Sequence, residues 1–244
     1  MKIQIIDNNR EPRSFGCSQM VHWVLATAPV GSEVIVRRGP EQDWLDETVA
    51  LDAIILSGSK TSCFEEQEAW VKPLDAYLTR KIQQSTPILG ICYGHQVLAR
   101  CLFRMHQQEP KFRNAPLAEL GWAEISVTEP NVLFEGLKNK FYSYQSHYEE
   151  VAEVPPSAFC FASSERSGIQ AIQIKGKPIF GIQFHPEYQV EAGEQSLKEK
   201  AAQGVRSDFI LNRGKGAALY NDNVGKVIFG NFFRIAAESS AHRV

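Results

Sequence analysis

Short runs of apolar residues alternate along the first half of the chain with longer stretches whose apolar side chains recur at helical spacing. The runs at 3–6, 33–36, 53–56 and 87–91 have the length of buried β-strands, and the spacing over 64–80 predicts an amphipathic helix. Parallel strands joined by crossover helices produce this alternation. The pattern therefore predicts an α/β fold.

The pattern changes near residue 121. Residues 122–127 alternate between apolar and polar side chains, which is typical of a sheet with one face toward water. Two more predicted strands, at 169–174 and 178–184, flank Lys175-Gly176-Lys177, which predicts a hairpin turn. The second half of the chain is therefore expected to add antiparallel strands.

A more polar stretch at about 188–226 follows, with two glycine-containing breaks, and an amphipathic pattern over 227–237 then predicts a closing helix. The polar stretch has three interpretations: a partner-docking element, a lid, or a solvated insertion, of which the last is the default. No repeat or linker divides the chain. We predict a single domain over 1–244, with a polar extension at about 188–226. The predicted architecture is an open, mostly parallel central sheet with helices on both faces, plus a smaller antiparallel sheet.

Composition narrows the function classes. The 26 basic and 28 acidic residues leave a formal net charge of −2, which gives no global electrostatic reason to bind nucleic acid or a membrane surface. Five cysteines at scattered spacings form no CxxC pair of the kind that structural zinc sites or redox motifs use, and no metal site is expected. No cofactor is expected either. Reduced thiols, and the lack of a secretory signal or a long apolar run, favour a cytoplasmic protein.

The segment Gly90-Ile91-Cys92-Tyr93-Gly94 carries the strongest chemical signal. A predicted buried strand ends at a cysteine that has a glycine two residues away on either side, and the chain then passes into a helix. This is the pattern of a nucleophile elbow, with sulfur in place of oxygen. The glycines would avoid a collision where the backbone doubles back, and a helix N-terminus favours the thiolate. The alternative is a buried cysteine in an ordinary turn.

A partner base follows a later strand, in the sequence His185-Pro186-Glu187. The proline fixes its own φ and disfavours the α region for His185, so the side chains of His185 and Glu187 are expected on the same side. Glu187 can then orient the imidazole toward a thiol. Together with the elbow, this motif predicts a Cys–His–Glu triad of Cys92, His185 and Glu187.

The two motifs, Gly-Ile-Cys-Tyr-Gly-His-Gln at 90–96 and Gly-Ile-Gln-Phe-His-Pro-Glu at 181–187, resemble those of the class I (triad) glutamine amidotransferase family. The chain resembles a stand-alone member of this family that is similar to the glutaminase domain of GMP synthetase. The resemblance implies that Cys92 attacks the side-chain amide of L-glutamine, that His185 protonates the departing ammonia, and that Glu187 orients His185. It also implies a thioester intermediate, and glutamate as the product.

The resemblance also implies an oxyanion hole made by the backbone N–H groups of Tyr93 and Ser59. Members of the family usually have Gly-Gly-Pro where this chain has Gly58-Ser59-Lys60. The same loop is superficially similar to a phosphate-binding loop, but it lacks the glycines that such a loop requires. The implied substrate-binding residues are Gly58, Gln96, Gln145, Ser146 and His147, and for His147 an ordinary loop histidine is the alternative.

Three functions are compatible with these motifs. The first is a glutaminase that supplies ammonia to an acceptor or a separate synthetase, because 244 residues leave no room for a synthetase domain. The second is a hydrolase of γ-glutamyl peptides or conjugates with the same triad. The third is a non-catalytic regulatory subunit. Such a subunit is expected to have lost the nucleophile, whereas Cys92, His185 and Glu187 are all present here.

Overall fold

The apolar runs predicted as strands form strands in the computed structural model, which describes residues 1–11, 16–44, 46, 48–220 and 223–241. Asn221 and Asp222, in the second predicted glycine-containing break, lie outside the described residues. In chain order the elements are β1 (Lys2–Asp7), α1 (Gly16–Thr27), β2 (Glu33–Arg38), β3 (Ala53–Leu56), α2 (Val71–Gln83), β4 (Ile88–Ile91), α3 (Tyr93–Met105), β5 (Phe112–Val127), β6 (Lys140–Val151), β7 (Ala158–Ser163), β8 (Ala171–Ile174), β9 (Ile179–Ile182), α4 (Val190–Ala202), β10 (Ile210–Leu211), α5 (Gly216–Leu219) and α6 (Asn223–Ala241).

These strands form one hydrogen-bonded sheet in the order β10-β5-β7-β8-β9-β4-β3-β1-β2, with β6 paired to β5. Five neighbouring strands of this sheet are mutually parallel: β2, β1, β3, β4 and β9. The sheet continues from β9 with antiparallel pairs formed by β8, β7, β5 and β6. The predicted α/β class with a mostly parallel centre is thus observed. The prediction placed the antiparallel strands in a separate, smaller sheet. In the structure they belong to the same sheet as the parallel strands, because the β8–β9 hairpin joins the two sets of strands.

The central strands are buried on both faces. Every residue of β3, β4 and β9 is buried, as expected for parallel strands covered by helices. Two apolar clusters lie on the two sides of the sheet, one including Trp23 and Phe229 and the other including Tyr77 and Leu98. The carboxyl ends of β3, β4 and β9 therefore meet at one edge of a rigid sheet.

The helix predicted over 64–80 begins later, at Val71, and residues 64–70 form turns. Pro73 explains the difference. Proline has no N–H group and is tolerated only in the first turn of a helix, where the N–H groups have no intrahelical acceptor. A helix that began at residue 64 would place Pro73 in its interior.

The polar stretch after Glu187 is more ordered than a solvated insertion. It contains α4, the short strand β10, which pairs in parallel with β5 at Leu120 and Gly121, and the four-residue helix α5. Leu197 of α4 is fully buried. The prediction that this segment is by default a solvated insertion is therefore wrong for α4, which packs against the body of the molecule.

Candidate active site

Cys92 lies at the sharp turn between β4 and α3. Its φ is 53° and its ψ is −104°, a left-handed conformation that side chains rarely adopt and that costs about 1–3 kcal/mol. The backbone N–H of Cys92 donates to the carbonyl of Ile182, 2.8 Å away, which ties the turn to the end of β9. The predicted elbow is therefore present, and the nucleophile candidate is held in a strained conformation by the neighbouring strand.

The glycines on either side of Cys92 are required by close backbone approach. A Cβ at Gly90 would lie 2.5 Å from the carbonyl oxygen of Gly94, and a Cβ at Gly94 would lie 2.6 Å from the Leu56 Cβ and 2.7 Å from the Leu56 carbonyl oxygen. The predicted collision is confirmed. The chain can double back here only because both positions lack a side chain.

Gly94→Ala is expected to lower the free energy of unfolding by about 1–3 kcal/mol, because the new methyl group meets the backbone of β3, which cannot move aside. Gly230→Ala in α6 is the matched control. A Cβ at Gly230 would meet no atom within 4 Å, and alanine favours the helix by about 1 kcal/mol. Urea denaturation of both variants measures the difference. Equal midpoints would contradict the close packing at Gly94.

His185 and Glu187 lie just beyond the end of β9. The backbone N–H of His185 donates to the carbonyl of Tyr144 at 2.8 Å, and the Nδ1 of His185 is 2.7 Å from the Oε1 of Glu187. Both residues are buried. The predicted contact between the two side chains is confirmed, and it leaves the Nε2 of His185 without a full hydrogen bond to any described residue.

The charges around His185 favour the imidazolium. Burial alone would lower the pKa of His185, but the charges of Glu187 and Cys92 and hydrogen bonding to both side chains outweigh burial and raise the pKa to about 10. At neutral pH His185 is therefore expected to carry the proton.

The loop after β3 closes over the two side chains. A Cβ at Gly58 would lie 3.0 Å from the Cε1 of His185 and 3.4 Å from the Cβ of Cys92. Glycine at this position therefore lets the loop approach both side chains without crowding them. Ser59 is not among the described residues with a positive φ, and its hydroxyl pairs with Thr61. A side chain is thus accommodated where the family usually has glycine. Within the described chain, the backbone N–H groups of Ser59 and Tyr93 donate to no other residue.

Glu149 fixes this loop to the sheet. One oxygen of its carboxylate accepts from the hydroxyl of Ser62 at 2.6 Å, and the other accepts from the backbone N–H of Cys63 at 2.7 Å. Its backbone carbonyl accepts from the Nε2 of Gln96 at 3.0 Å. Glu149 therefore connects the loop that contains Gly58 to both β6 and the elbow helix.

Gln183 is a site residue that the sequence analysis missed. Its side chain is fully buried, its Nε2 lies 3.5 Å from the Sγ of Cys92, and its Oε1 accepts from the Nε2 of Gln96 at 3.3 Å. Gln96 therefore orients the amide of Gln183 with its donor toward the thiol. The position of Gln183, two residues before His185 in an extended segment, is the signal that would have placed both side chains on one side.

The structure separates the predicted substrate-binding residues into two groups. Gly58, Gln96, Ser146 and His147 line the cavity beside Cys92. Gln145 is fully buried and donates to Gln170 at 2.9 Å, away from the cavity lining.

His147 is not a loop histidine. It lies in β6, is 4% exposed, and its Nε2 is 3.0 Å from the Oε2 of Glu119. Glu119 also accepts from Ser164 and Gln170. The carboxylate fixes the orientation of the ring, and its Nδ1 is left without a partner in the described chain.

The cavity has a volume of about 620 Å³ and lies at the carboxyl ends of β3, β4 and β9. Its floor includes Cys92, His185 and Glu187, and one of its walls is α4. Ligand sites of α/β sheets lie at this edge. The cavity therefore gives a substrate access to the thiol of Cys92.

The other four cysteines are free thiols with no histidine contact of this kind among the described residues. Burial raises the pKa of Cys17 and of Cys101 to about 12, and burial also raises the pKa of Cys63 and Cys160. Across the part of the chain that the structure describes, no cluster of three or more histidine, cysteine or acidic side chains could hold a metal ion. No helix among those described has the length and apolarity needed to span a bilayer.

Known proteins are similar to this chain in sequence and in fold. The model of the family described as glutamine amidotransferase class-I matches residues 17–203. A GMP synthase (glutamine-hydrolyzing) from Thermosipho melanesiensis is 34% identical over 168 residues, which cover 64% of this chain and 30% of that protein. A subunit of the GMP synthase (glutamine-hydrolyzing) of Pyrococcus abyssi is 38% identical over 118 residues, which cover 48% of this chain and 60% of that protein.

The match thus spans less than two thirds of the length of either relative. Among solved structures, a glutamine amidotransferase from Thermotoga maritima superimposes with a TM-score of 0.73 at 16% identity, covering 96% of this chain and 97% of that one. At this identity the likeness supports the fold alone.

Proposed function

The chain belongs to the class-I glutamine amidotransferase family, and from this premise we propose that it hydrolyses the side-chain amide of L-glutamine through Cys92, His185 and Glu187. The observation that carries the proposal is the strained elbow that holds Cys92 beside His185, whose Nδ1 is 2.7 Å from Glu187. An intact nucleophile and base argue against a purely regulatory role. Five free thiols fit a reducing compartment, so we place the protein in the cytoplasm.

In the proposed mechanism the thiolate of Cys92 attacks the amide carbon of glutamine. The imidazolium of His185 gives its proton to the departing amine, and ammonia leaves as the thioester forms. His185, now neutral, takes a proton from water, which attacks the thioester and releases glutamate. Glu187 holds the ring in the required tautomer throughout and stabilises its charged form.

Three further N–H donors are proposed to stabilise negative charge, two at the oxyanion and one at the thiolate. The free N–H groups of Ser59 and Tyr93 are the candidate donors to the oxyanion, and each such donor is worth about 10²–10³-fold in rate in a comparable enzyme. The Nε2 of Gln183 donates to the Cys92 thiolate, in a direction fixed by Gln96. Since both described contacts of the Gln96 amide nitrogen are internal, only its carbonyl oxygen is left to receive a substrate group.

We also propose that the ammonia is used by a separate synthetase or acceptor-activating enzyme. One relative is named as a single subunit of GMP synthase, which favours a partner chain for this protein as well. A second candidate substrate class is γ-glutamyl peptides or conjugates. The cavity of about 620 Å³, extended by α4 beyond the thiol, favours this class because the leaving amine would have room.

The test is product formation by the purified protein. With L-glutamine we expect glutamate and ammonia in equal amounts, and with L-asparagine, which is shorter by one methylene group, we expect neither. The same assay with γ-glutamyl amides distinguishes the two substrate classes by their kcat/KM values. If neither glutamine nor any γ-glutamyl amide is hydrolysed, the proposal is wrong.

A further inference from the structure

Two features that the proposed mechanism does not use meet in the same cavity. Lys60 stands where the family usually has proline, in the loop after β3, and Lys200 lies on α4, in the segment that follows Glu187. Both line the cavity together with Cys92. Two lysines that are far apart in sequence therefore line the cavity that contains the thiol of Cys92.

The position of Lys200 is set by a packed helix. The residues of α4 and its C-cap that line the cavity recur every three or four positions, which places them on one helix face. The opposite side of α4 is anchored to the sheet: Leu197 is fully buried, and a Cβ at Gly193 would lie 2.5 Å from Trp122. The lining residues of this face are Ala192, Gln195, Ser196, Glu199, Lys200 and Gln203.

The two ammonium groups form no ion pair with any residue that the structure describes. Burial lowers the pKa of Lys200 and the positive charge of Lys60 lowers it further, while the charges of Cys92 and Glu199 oppose this effect without cancelling it. The cavity is also lined by the carboxylates of Glu11, Glu149, Glu187 and Glu199. Both oxygens of Glu149, and one oxygen each of Glu187 and Glu199, are already engaged in hydrogen bonds of their own. An anion placed between the two lysines would relieve their repulsion.

We propose that Lys60 and Lys200 form a subsite for a carboxylate of the substrate, next to the scissile amide. This inference rests on the proposed function and adds the chemistry that is recognised beyond the amide. Two carboxylates could occupy the subsite: the α-carboxylate of the glutamyl group, or an acid group on the amine that leaves. Lysine contributes a charge-assisted hydrogen bond to either.

The test compares Lys200→Met, which removes the charge at similar length, with Lys198→Met as the matched control. Lys198 is on the same helix, exposed, and outside the cavity lining. Loss of a charge-assisted hydrogen bond predicts a KM about 10- to 100-fold higher for Lys200→Met, with a smaller effect on kcat. Lys200→Arg should recover most of the loss, and Lys198→Met should match the wild type.

The substrates distinguish the two carboxylates. If the α-carboxylate is bound, Lys200→Met impairs L-glutamine but not L-glutaminamide, in which that group is amidated. If an acid on the leaving amine is bound, the variant impairs γ-L-glutamylglycine but not γ-L-glutamylmethylamide. A KM that is unchanged for all four compounds, or equally changed by Lys198→Met, overturns the subsite.

A second readout needs no turnover. Glutarate is expected to protect Cys92 from alkylation by iodoacetamide, and Lys200→Met should require at least about tenfold more glutarate for the same protection. Equal protection of both proteins also overturns the subsite. Protection lost in Lys200→Met without hydrolysis of any amide by the wild type would contradict the proposed function and leave the subsite supported.

Discussion

Cys92→Ala is expected to abolish glutamate release from L-glutamine, because no other group among the described residues of the cavity can form the thioester. In a comparable triad, removal of the nucleophile lowers kcat by about 10⁶-fold. Alanine also adopts the left-handed φ of 53° no more easily than cysteine, so the elbow is not expected to gain stability. The measurement is glutamate formed over hours at high protein concentration.

Cys160→Ala is the control for this variant. The Cys160 thiol is partly buried and donates only to backbone carbonyls within the described chain, those of Ala162 and Gly168, so its loss should leave activity close to that of the wild type. When the wild type is quenched during turnover of glutamine, mass spectrometry should find the glutamyl adduct on Cys92 alone. Comparable glutamate release from Cys92→Ala and the wild type would rule out Cys92 as the nucleophile.

Glu187→Gln is expected to lower kcat by about 10⁴-fold at neutral pH, the size of the effect seen when the corresponding acid of a serine triad becomes an amide. The shape of the side chain is kept, but the amide cannot stabilise the imidazolium and can stabilise the wrong tautomer of His185. Burial of the ring, which lowers its pKa, would then act without the opposing carboxylate charge.

The pH profile separates this mechanism from a loss of structure. In the wild type the pKa of His185 is raised to about 10, so the proton needed by the leaving amine is present at neutral pH and is lost as pH rises through that value. The alkaline limb of kcat/KM should therefore move to lower pH in Glu187→Gln. Glu191→Gln, on the exposed face of α4, should leave the limb in place. An unmoved limb in Glu187→Gln would show that Glu187 does not set the charge of His185.

The sequence was sufficient to predict the elements that position the candidate active site. The buried strands β3, β4 and β9 are short, apolar and bounded by glycine or proline, so their type and position follow from the pattern. The elbow around Cys92 and the contact between His185 and Glu187 follow from local rules, because each involves residues within a few positions of one another. Local geometry is the part of a structure that a sequence encodes most directly.

Elements whose stability depends on distant partners were missed. β6 alternates as a strand should, but its inward-facing residues Ser143, Gln145 and His147 are polar, so the pattern resembles a loop. The burial of Gln145 and His147 is compensated by hydrogen bonds to Gln170 and Glu119, which lie outside β6. α1 was missed because apolar residues occupy most of its positions, which hides the helical period.

The same limit applies to the site. Gln183 and Lys200 are ordinary residues in the sequence, and only tertiary packing brings one to the thiol of Cys92 and the other to the cavity wall. The packing of α4 against Trp122 could not be foreseen from a polar segment. Contacts between residues far apart in the chain are therefore where the structure adds most to the interpretation.

The pairing of β4 with β9 also has a consequence for biosynthesis. Cys92 follows one strand and His185 follows the other, and the N–H of Cys92 is bonded to Ile182 at the end of β9. During translation Cys92 leaves the ribosome long before His185 does. Until β9 pairs with β4, the nascent chain carries Cys92 without the His185 side chain beside it.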